Sequence, residues 1–298
     1  MLLAVDVGNT NIVPGVFAPD GRLVADWRWE TDNARMADEY AALLSWSLAD
    51  VGIARGTITG MVLSSVVPPL TTTFRELARR YLGVAPLVVS ARVRTDVPLR
   101  VDAPDEVGAD RIANALAVKR LYQVPAIVVD FGTATNFDVV SAAGEFLGGA
   151  FAPGIQTALE GLASRAARLR TIELRAPGRA IGTNTPACMQ AGLVYGYVAL
   201  VEGLVARIAA ELGGPRPLVV ATGGLAPLIA AETRAIDVLA PDLTLQGLRL
   251  LYELNEPSAV SSQQSGVSGH RSGAGGQQSA ISDQHASDGW PVPRGAES

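Results

Sequence analysis

Two stretches of the chain repeat one pattern, "AVDVGNTNIV" from Ala4 and "VVDFGTATNF" from Val128. Each reads as an apolar strand, an aspartate, one apolar residue, a glycine, small polar residues and a second strand. Glycine lets the backbone approach a ligand closely, and consecutive N–H groups in such a turn form an anion-binding concavity. Asn9, Thr10, Asn11 and Thr133 add donors. Asp6 and Asp130 would repel a phosphate, so a carboxylate at that place works through a cation or a cation-bound water. Gly, Asn and Asp also make ordinary hairpin turns. Repetition at the first strand of each half argues for more than a turn: two such bends facing across a cleft would hold a triphosphate from both sides. A third glycine cluster, "VVATGGLAP" (Val219–Pro227), follows a strand and precedes a helix, which suits the nucleoside end of the same ligand.

Periodicity places these bends in two similar half-chains. Strands are predicted at Leu2–Val7, Asn11–Phe17 and Arg22–Trp29, then a helix from Ala34 to about Val51. A strand (Met61–Val66), a helix (Leu70–Leu82), a strand (Pro86–Ser90) and a helix (Gly108–Leu121) follow, giving the order βββαβαβα. The second half repeats it: a strand at Ala126–Asp130, the turn and a second strand, a third strand at Glu145–Phe151, helices from Gly154 and from Thr185, a strand at "PLVVATGG" and a last helix at "LTLQGLRLLYEL". The expected fold class is α/β with an internal duplication, divided into 1–118 and 119–255. From 256 to 298 the composition turns to Ser, Gln, Gly, Ala and Pro, too apolar-poor to offset ordering entropy, and a disordered tail is expected.

Composition closes off several functions. The 298 residues carry a net charge of -5 with no basic run, so nucleic-acid binding has no electrostatic footprint. Both histidines, His270 and His285, lie in the tail, which makes histidine bases, Ser-His-Asp triads and zinc sites improbable. Lys119 is the only lysine and no Walker motif occurs. Cys188 is alone, which fits a reducing cytoplasm. No leader is read at the N-terminus. The apolar tract Ala191–Ala210 is long enough to span a membrane, but it carries Glu202 and Arg207, and a buried helix of a soluble protein is expected.

The motifs taken in order resemble type III pantothenate kinase over about residues 1–255. They are Asp6-Val-Gly-Asn-Thr, "SSVVP" (Ser64–Pro68), "EVGADRIANA" (Glu106–Ala115), "DFGTATNFD" (Asp130–Asp138), "GGAFAPGI" (Gly148–Ile155), "IGTNTPACMQAG" (Ile181–Gly192) and "ATGGLAP". The resemblance implies the actin-like, sugar-kinase-like ATPase fold and ATP-dependent phosphorylation of pantothenate at the start of coenzyme A synthesis. It also implies a divalent metal such as Mg2+ with ATP, a monovalent cation such as K+ or NH4+, and a homodimer.

Carried over residue by residue, Asp110 matches the proton acceptor, and Gly108, Ala109, Arg111 and Thr185 match substrate contacts. Asp130 matches the monovalent-cation ligand and Thr133 an ATP contact. Asp6, Val7, Gly8, Asn9, Thr10, Asn11, Ile12 and Val13 match the ATP phosphate loop.

Plainer roles compete: Asp110 and Thr185 as helix N-caps, Arg111 in a surface salt bridge. Where the family usually has Tyr-Asp-Asn-Pro, with the tyrosine lining the pocket, this sequence has Val101-Asp102-Ala103-Pro104, and it departs again at Pro14 and Thr183. Another small-molecule kinase of the same fold, or a non-catalytic regulator like Bvg accessory factor, are the alternatives.

Overall fold

Alternation along the first strand decides which way its aspartate points. In β1 (Leu2–Val7) the side chains of Leu3, Val5 and Val7 join one apolar cluster while Ala4 joins another on the opposite face. Successive strand residues face opposite sides, so Asp6 shares the face of Ala4. The computed structural model in which this is seen describes residues 1–165 and 169–256; the expected tail, beyond Glu256 itself, lies outside the described residues.

β1 pairs antiparallel with β2 (Asn11–Phe17), which is followed by β3 (Leu23–Asp26) and β4 (Trp29–Glu30). Next come α1 (Ala37–Asp50), β5 (Gly60–Ser65), α2 (Pro68–Leu77), β6 (Leu87–Val88) and α3 (Ala109–Leu121). The strand order of this first sheet is β3-β2-β1-β5-β6, with β4 alongside β2.

The second half runs β7 (Ala126–Phe131), β8 (Ala134–Val140), β9 (Phe146–Pro153), α4 (Ile155–Arg165) and α5 (Thr185–Gln190). A π turn (Ala191–Tyr195) carries α5 into α6 (Gly196–Leu212), followed by β10 (Leu218–Thr222), α7 (Ala226–Ala230), β11 (Val238–Leu239) and α8 (Leu243–Asn255). Its sheet has the order β11-β10-β7-β8-β9, the mirror of the first reading and hence the same topology.

Three apolar clusters order these elements into layers. α1 and α2 cover one face of the first sheet through Tyr40, Leu44, Leu70 and Phe74. The helix running through α5 and α6, with α4, covers the outer face of the second sheet through Leu159, Tyr197 and Val201. Between the sheets lie α3 and α8, whose Ile112, Leu116, Leu248 and Leu251 meet Ala4, Val62, Val128 and Val220. The boundary expected at 118/119 falls inside α3, in this middle layer. α8, although last in the chain, lies against β1, β2 and β5 of the first sheet.

Several boundaries differ from expectation for local reasons. The single strand expected over Arg22–Trp29 is two strands with a break at Trp27 and Arg28. The helix expected over Leu70–Leu82 starts at Pro68, a favoured first-turn residue, and ends as α-helix at Leu77, running on as a π turn (Ala78–Leu82) to Gly83. β11 carried too few residues to be anticipated. The long helix Thr185–Leu212 is apolar and long enough to cross a membrane, yet only one face of it is buried. The core-helix expectation therefore holds for the face that packs on the second sheet.

α3 and α8 approach so closely that a Cβ on Gly247 would overlap the Ala113 carbonyl. Gly161 in α4 faces open space. Gly247→Ala is expected to lower stability by about 1–3 kcal/mol through overpacking, while Gly161→Ala, relieving helix entropy, raises it by about 0.5–1 kcal/mol. Thermal melts of the two variants should move in opposite directions.

Candidate active site

Strand register brings the two repeated acids to equivalent places. Asp6 lies between Val13 of β2 and Ser64 of β5. Asp130 lies between Asn136 of β8 and Thr222 of β10. Asp130 shares the inward parity of Ala126 and Val128, as Asp6 shares that of Ala4, so both carboxylates point toward the middle layer from opposite sides. They open onto one cleft at the carboxyl ends of the parallel strands, where open α/β sheets bind ligands. The cleft has a volume of about 540 Å³, and Asp110, Gly108, Arg111, Thr133 and the Gly223–Gly224 turn share its walls.

The first loop is braced from behind. Gly8 N–H donates to the Asn11 carbonyl (3.0 Å), Thr31 Oγ1 donates to the Gly8 carbonyl (2.7 Å) and Thr31 N–H to the Thr10 carbonyl (3.0 Å). The second is held at the Thr133 carbonyl, which accepts from Thr157 Oγ1 (2.8 Å) and from Gly154 N–H (3.0 Å). The two loops meet where Thr10 Oγ1 and Thr133 Oγ1 lie 2.8 Å apart. A phosphate seated between the loops would replace that bond with its own oxygens.

Asp110 stands in the first turn of α3, where a negative charge is favoured by the helix dipole. Gly108, not Asp110, is the N-cap residue. A Cβ on Gly108 would overlap Asp110 Oδ1, so the glycine makes room for the carboxylate. That oxygen is buried with no hydrogen-bond partner. Burial raises Asp110 above the ordinary carboxylate range, against the pull of Arg111.

The same cause acts on its neighbours. Desolvation, helped by the Asp110 and Asp130 charges, pushes Asp6 up to about 7, and the Ser64 hydroxyl works the other way. Desolvation and Asp110 push Asp130 up to about 6, restrained by the Asn114 amide and by Arg28. Asn114 is turned to that task because its Oδ1 accepts from Thr244 Oγ1 (2.8 Å).

Arg111 is not on the surface. Its Nε donates to Asp138 Oδ1 at 2.6 Å, and Asp138 is fully buried. The guanidinium carbon sits 5.0 Å from the Phe146 ring centre and 4.6 Å from that of Phe151. Burial drives Asp138 to about 7 despite Arg111. One nitrogen of the fork is thus fixed, and the arginine lines the cleft with the rest.

Gly8, Asn9, Thr10, Asn11 and Val13 line the cleft with Asp6. Val7, Ile12 and Ala109 are buried, so only their backbone is available to a ligand. Thr185 is elsewhere, in a separate groove with Leu162, Cys188 and Met189. Nor is it the N-cap of its helix: Asn184 is, its Oδ1 accepting from Ala187 N–H at 3.0 Å. Val101 packs against the central core rather than lining the cleft. The sequence reading missed Arg28 and Asp138; Asp138 carried a signal, since it follows Asp130 by an even number of residues along a hairpin that returns to the same face.

No cluster of three or more His, Cys, Asp and Glu side chains forms a metal cage among the described residues. What the cleft offers instead is isolated oxygen. Asp110 Oδ1 and Asn136 Oδ1 are buried without hydrogen-bond partners, as is Asp138 Oδ2 behind Arg111, and oxygen donors suit hard cations.

The comparisons with known proteins agree with this geometry. A family profile described as type III pantothenate kinase matches residues 2–207. The type III pantothenate kinase of Moorella thermoacetica is 53% identical over 255 residues, covering 86% of this chain and 100% of that protein. The one from Roseiflexus castenholzii is 54% identical over 256 residues, covering 86% and 99%. This chain belongs to the type III pantothenate kinase family.

Among solved structures, a protein assigned to the Baf family of transcriptional activators from Campylobacter jejuni superposes with a TM-score of 0.55 at 16% identity, covering 84% of this chain and 97% of that one. A protein assigned as a 2-dehydro-3-deoxygalactonokinase from Sinorhizobium meliloti gives 0.53 at 15%, covering 88% and 99%. These share the fold, which is the actin-like, sugar-kinase-like one.

The raised carboxylates make a stability prediction. Asp130, pushed up to about 6 in the fold, binds more proton folded than unfolded between the ordinary carboxylate range and that value, so its contribution to stability is lost as pH rises through it. Asp130→Asn is therefore expected to melt higher than the parent at pH 8 in cation-poor buffer, with the gap closing toward pH 4. A gap independent of pH would contradict the shift.

Proposed function

We infer that this protein transfers the γ-phosphoryl group of ATP to the 4'-hydroxyl of pantothenate, giving ADP and 4'-phosphopantothenate, the first step of coenzyme A biosynthesis. The observation that carries the reading is convergence. Asp6, Asp110 and Asp130, from three separate elements, meet both phosphate loops in one cleft of a chain in this family.

In this reading the two halves, 1–118 and 119–255, each contribute one loop to the polyphosphate, and the Gly223–Gly224 turn takes the nucleoside. The pantothenate hydroxyl lies against Asp110. As its oxygen bonds to the γ-phosphorus and the bond to the β–γ bridging oxygen breaks, its proton passes to Asp110 Oδ1. A carboxylate raised by burial is a stronger base than one in water. Positioning of the two reactants supplies much of the remaining acceleration.

Arg111 serves the other end of the substrate. With Nε held by Asp138 and its faces covered by Phe146 and Phe151, its terminal nitrogens form a pre-set fork for the pantothenate carboxylate. Gly108 and Ala109 add backbone at the same helix end.

Asp130 would hold a monovalent cation, K+ or NH4+, and Asp6 would face a divalent metal such as Mg2+ on the phosphates. Bound, these ions neutralise charge on the polyphosphate and on the crowded acids. A homodimer is proposed as well, with the open face of the Thr185–Leu212 helix as its interface, in a cytoplasmic enzyme without nucleic-acid or membrane partners. Sedimentation at working concentration should give the dimer mass.

Incubation with ATP, Mg2+, K+ and pantothenate should yield phosphopantothenate by mass spectrometry; none formed would overturn the reading. Asp110→Asn should lower kcat about 10²- to 10⁴-fold while ATP affinity is retained. Arg111→Lys, keeping charge but not the fork, should raise the KM for pantothenate about tenfold and leave that for ATP in place.

A further inference from the structure

The cleft has an electrostatic imbalance that the residues assigned so far do not correct. Asp6, Glu106, Asp110 and Asp130 line it, against two arginines, Arg28 and Arg111. Arg111 is committed to Asp138. The only lysine, Lys119, donates to the Asp96 carbonyl instead. A polyphosphate entering this space would meet one uncommitted cationic side chain, Arg28, which forms no ion pair or side-chain hydrogen bond among the described residues.

How Arg28 comes to be there follows from the register of β2 with the strands beside it. β2 pairs with β3 through Gly15 and Asp26, and with β4 through Ile12 and Trp29. Between them Trp27 N–H donates to the Pro14 carbonyl at 2.9 Å, but Pro14 has no N–H to return. The ladder therefore lapses at Trp27 and Arg28.

Trp27 and Trp29 pack on the outer cluster, which turns Arg28 to the inner face. Extending the register from either side sets Arg28 opposite Val13, and Val13 is opposite Asp6. Arg28 is thus in the row of Asp6, two strands away, on the order of 10 Å at the backbone. Its side chain crosses to the second half, where Nη1 lies 2.6 Å from the point a Cβ would occupy on Gly224.

We propose that Arg28 is the polyphosphate-binding cation of this nucleotide site, reaching from the first sheet over the Gly223–Gly224 turn to do the charge-neutralising work a Walker lysine does in other folds. A guanidinium fork can hold two phosphate oxygens at once. Gly224 is part of the device, since a side chain there would stand where Arg28 Nη1 lies. The proposal rests on reading the cleft as an ATP site.

The test is nucleotide titration by calorimetry with ATP, ADP and adenosine, on the parent, Arg28→Gln and Arg28→Lys. Arg28 is exposed and unpaired, so both variants should fold, and circular dichroism checks it. Arg28→Gln should weaken ATP and ADP about 10- to 100-fold and leave adenosine unchanged, with Arg28→Lys between. The KM for ATP should rise in parallel while that for pantothenate stays.

Unchanged ATP and ADP affinity in Arg28→Gln would overturn the proposal. So would an equal loss for adenosine, which would place Arg28 on the nucleoside. Absence of pantothenate phosphorylation by the parent would sink the enzymatic reading alone, since nucleotide titration does not depend on the acceptor.

Discussion

Carboxylates that repel one another are the constraint around which this molecule is arranged. Asp6 and Asp130 end equivalent strands of two sheets, both turned to the middle layer, and Asp110 projects from the helix between them. Desolvation and mutual repulsion oppose ionisation of all three. A fold that concentrates such groups gives up stability, which points to a site kept for ligand chemistry rather than for the fold itself.

The layered architecture explains why the acids can be placed so tightly. Both sheets are covered outside by their own helices, and share α3 and α8 between them. The separation of the two Asp-x-Gly loops is set by the thickness of that shared layer. The close crossing of α8 on α3 at Gly247 and Ala113 keeps it thin. Asp110 rides on α3 itself, so the position of its carboxylate relative to both loops is governed by the same helix pair.

Much of this was legible in the sequence because it is local or repeated. The duplicated Asp-x-Gly bends announced both the internal symmetry and the cleft, and alternation in β1 and β7 is enough to aim their acids. What escaped was carried by pairing between distant segments. Arg28 sat in a stretch that reads as continuous strand, and its reach to Gly224 depends on how the second half lies across the cleft. The partner of Arg111 depended on β8 passing beneath α3, so the reading left a surface ion pair open where a buried one exists. Thr185 was placed by motif at the substrate, but the helix it begins covers the outer face of the second sheet, away from the cleft. The buried helix expected at Ala191–Ala210 is covered on one face, since apolar content says nothing about how many faces neighbours cover.

The position of α8 bears on how the chain is made. The helix that seals β1, β2 and β5 is encoded by Leu243–Asn255, more than two hundred residues after β1 itself. On a ribosome, α3 would follow the first sheet and reach β5, but the part of that face that α8 covers on β1 and β2 would stay open until Leu243–Asn255 had been made. Nascent intermediates of this protein would carry a sticky flank through most of translation, and the amino-terminal half should be a poor candidate for expression by itself.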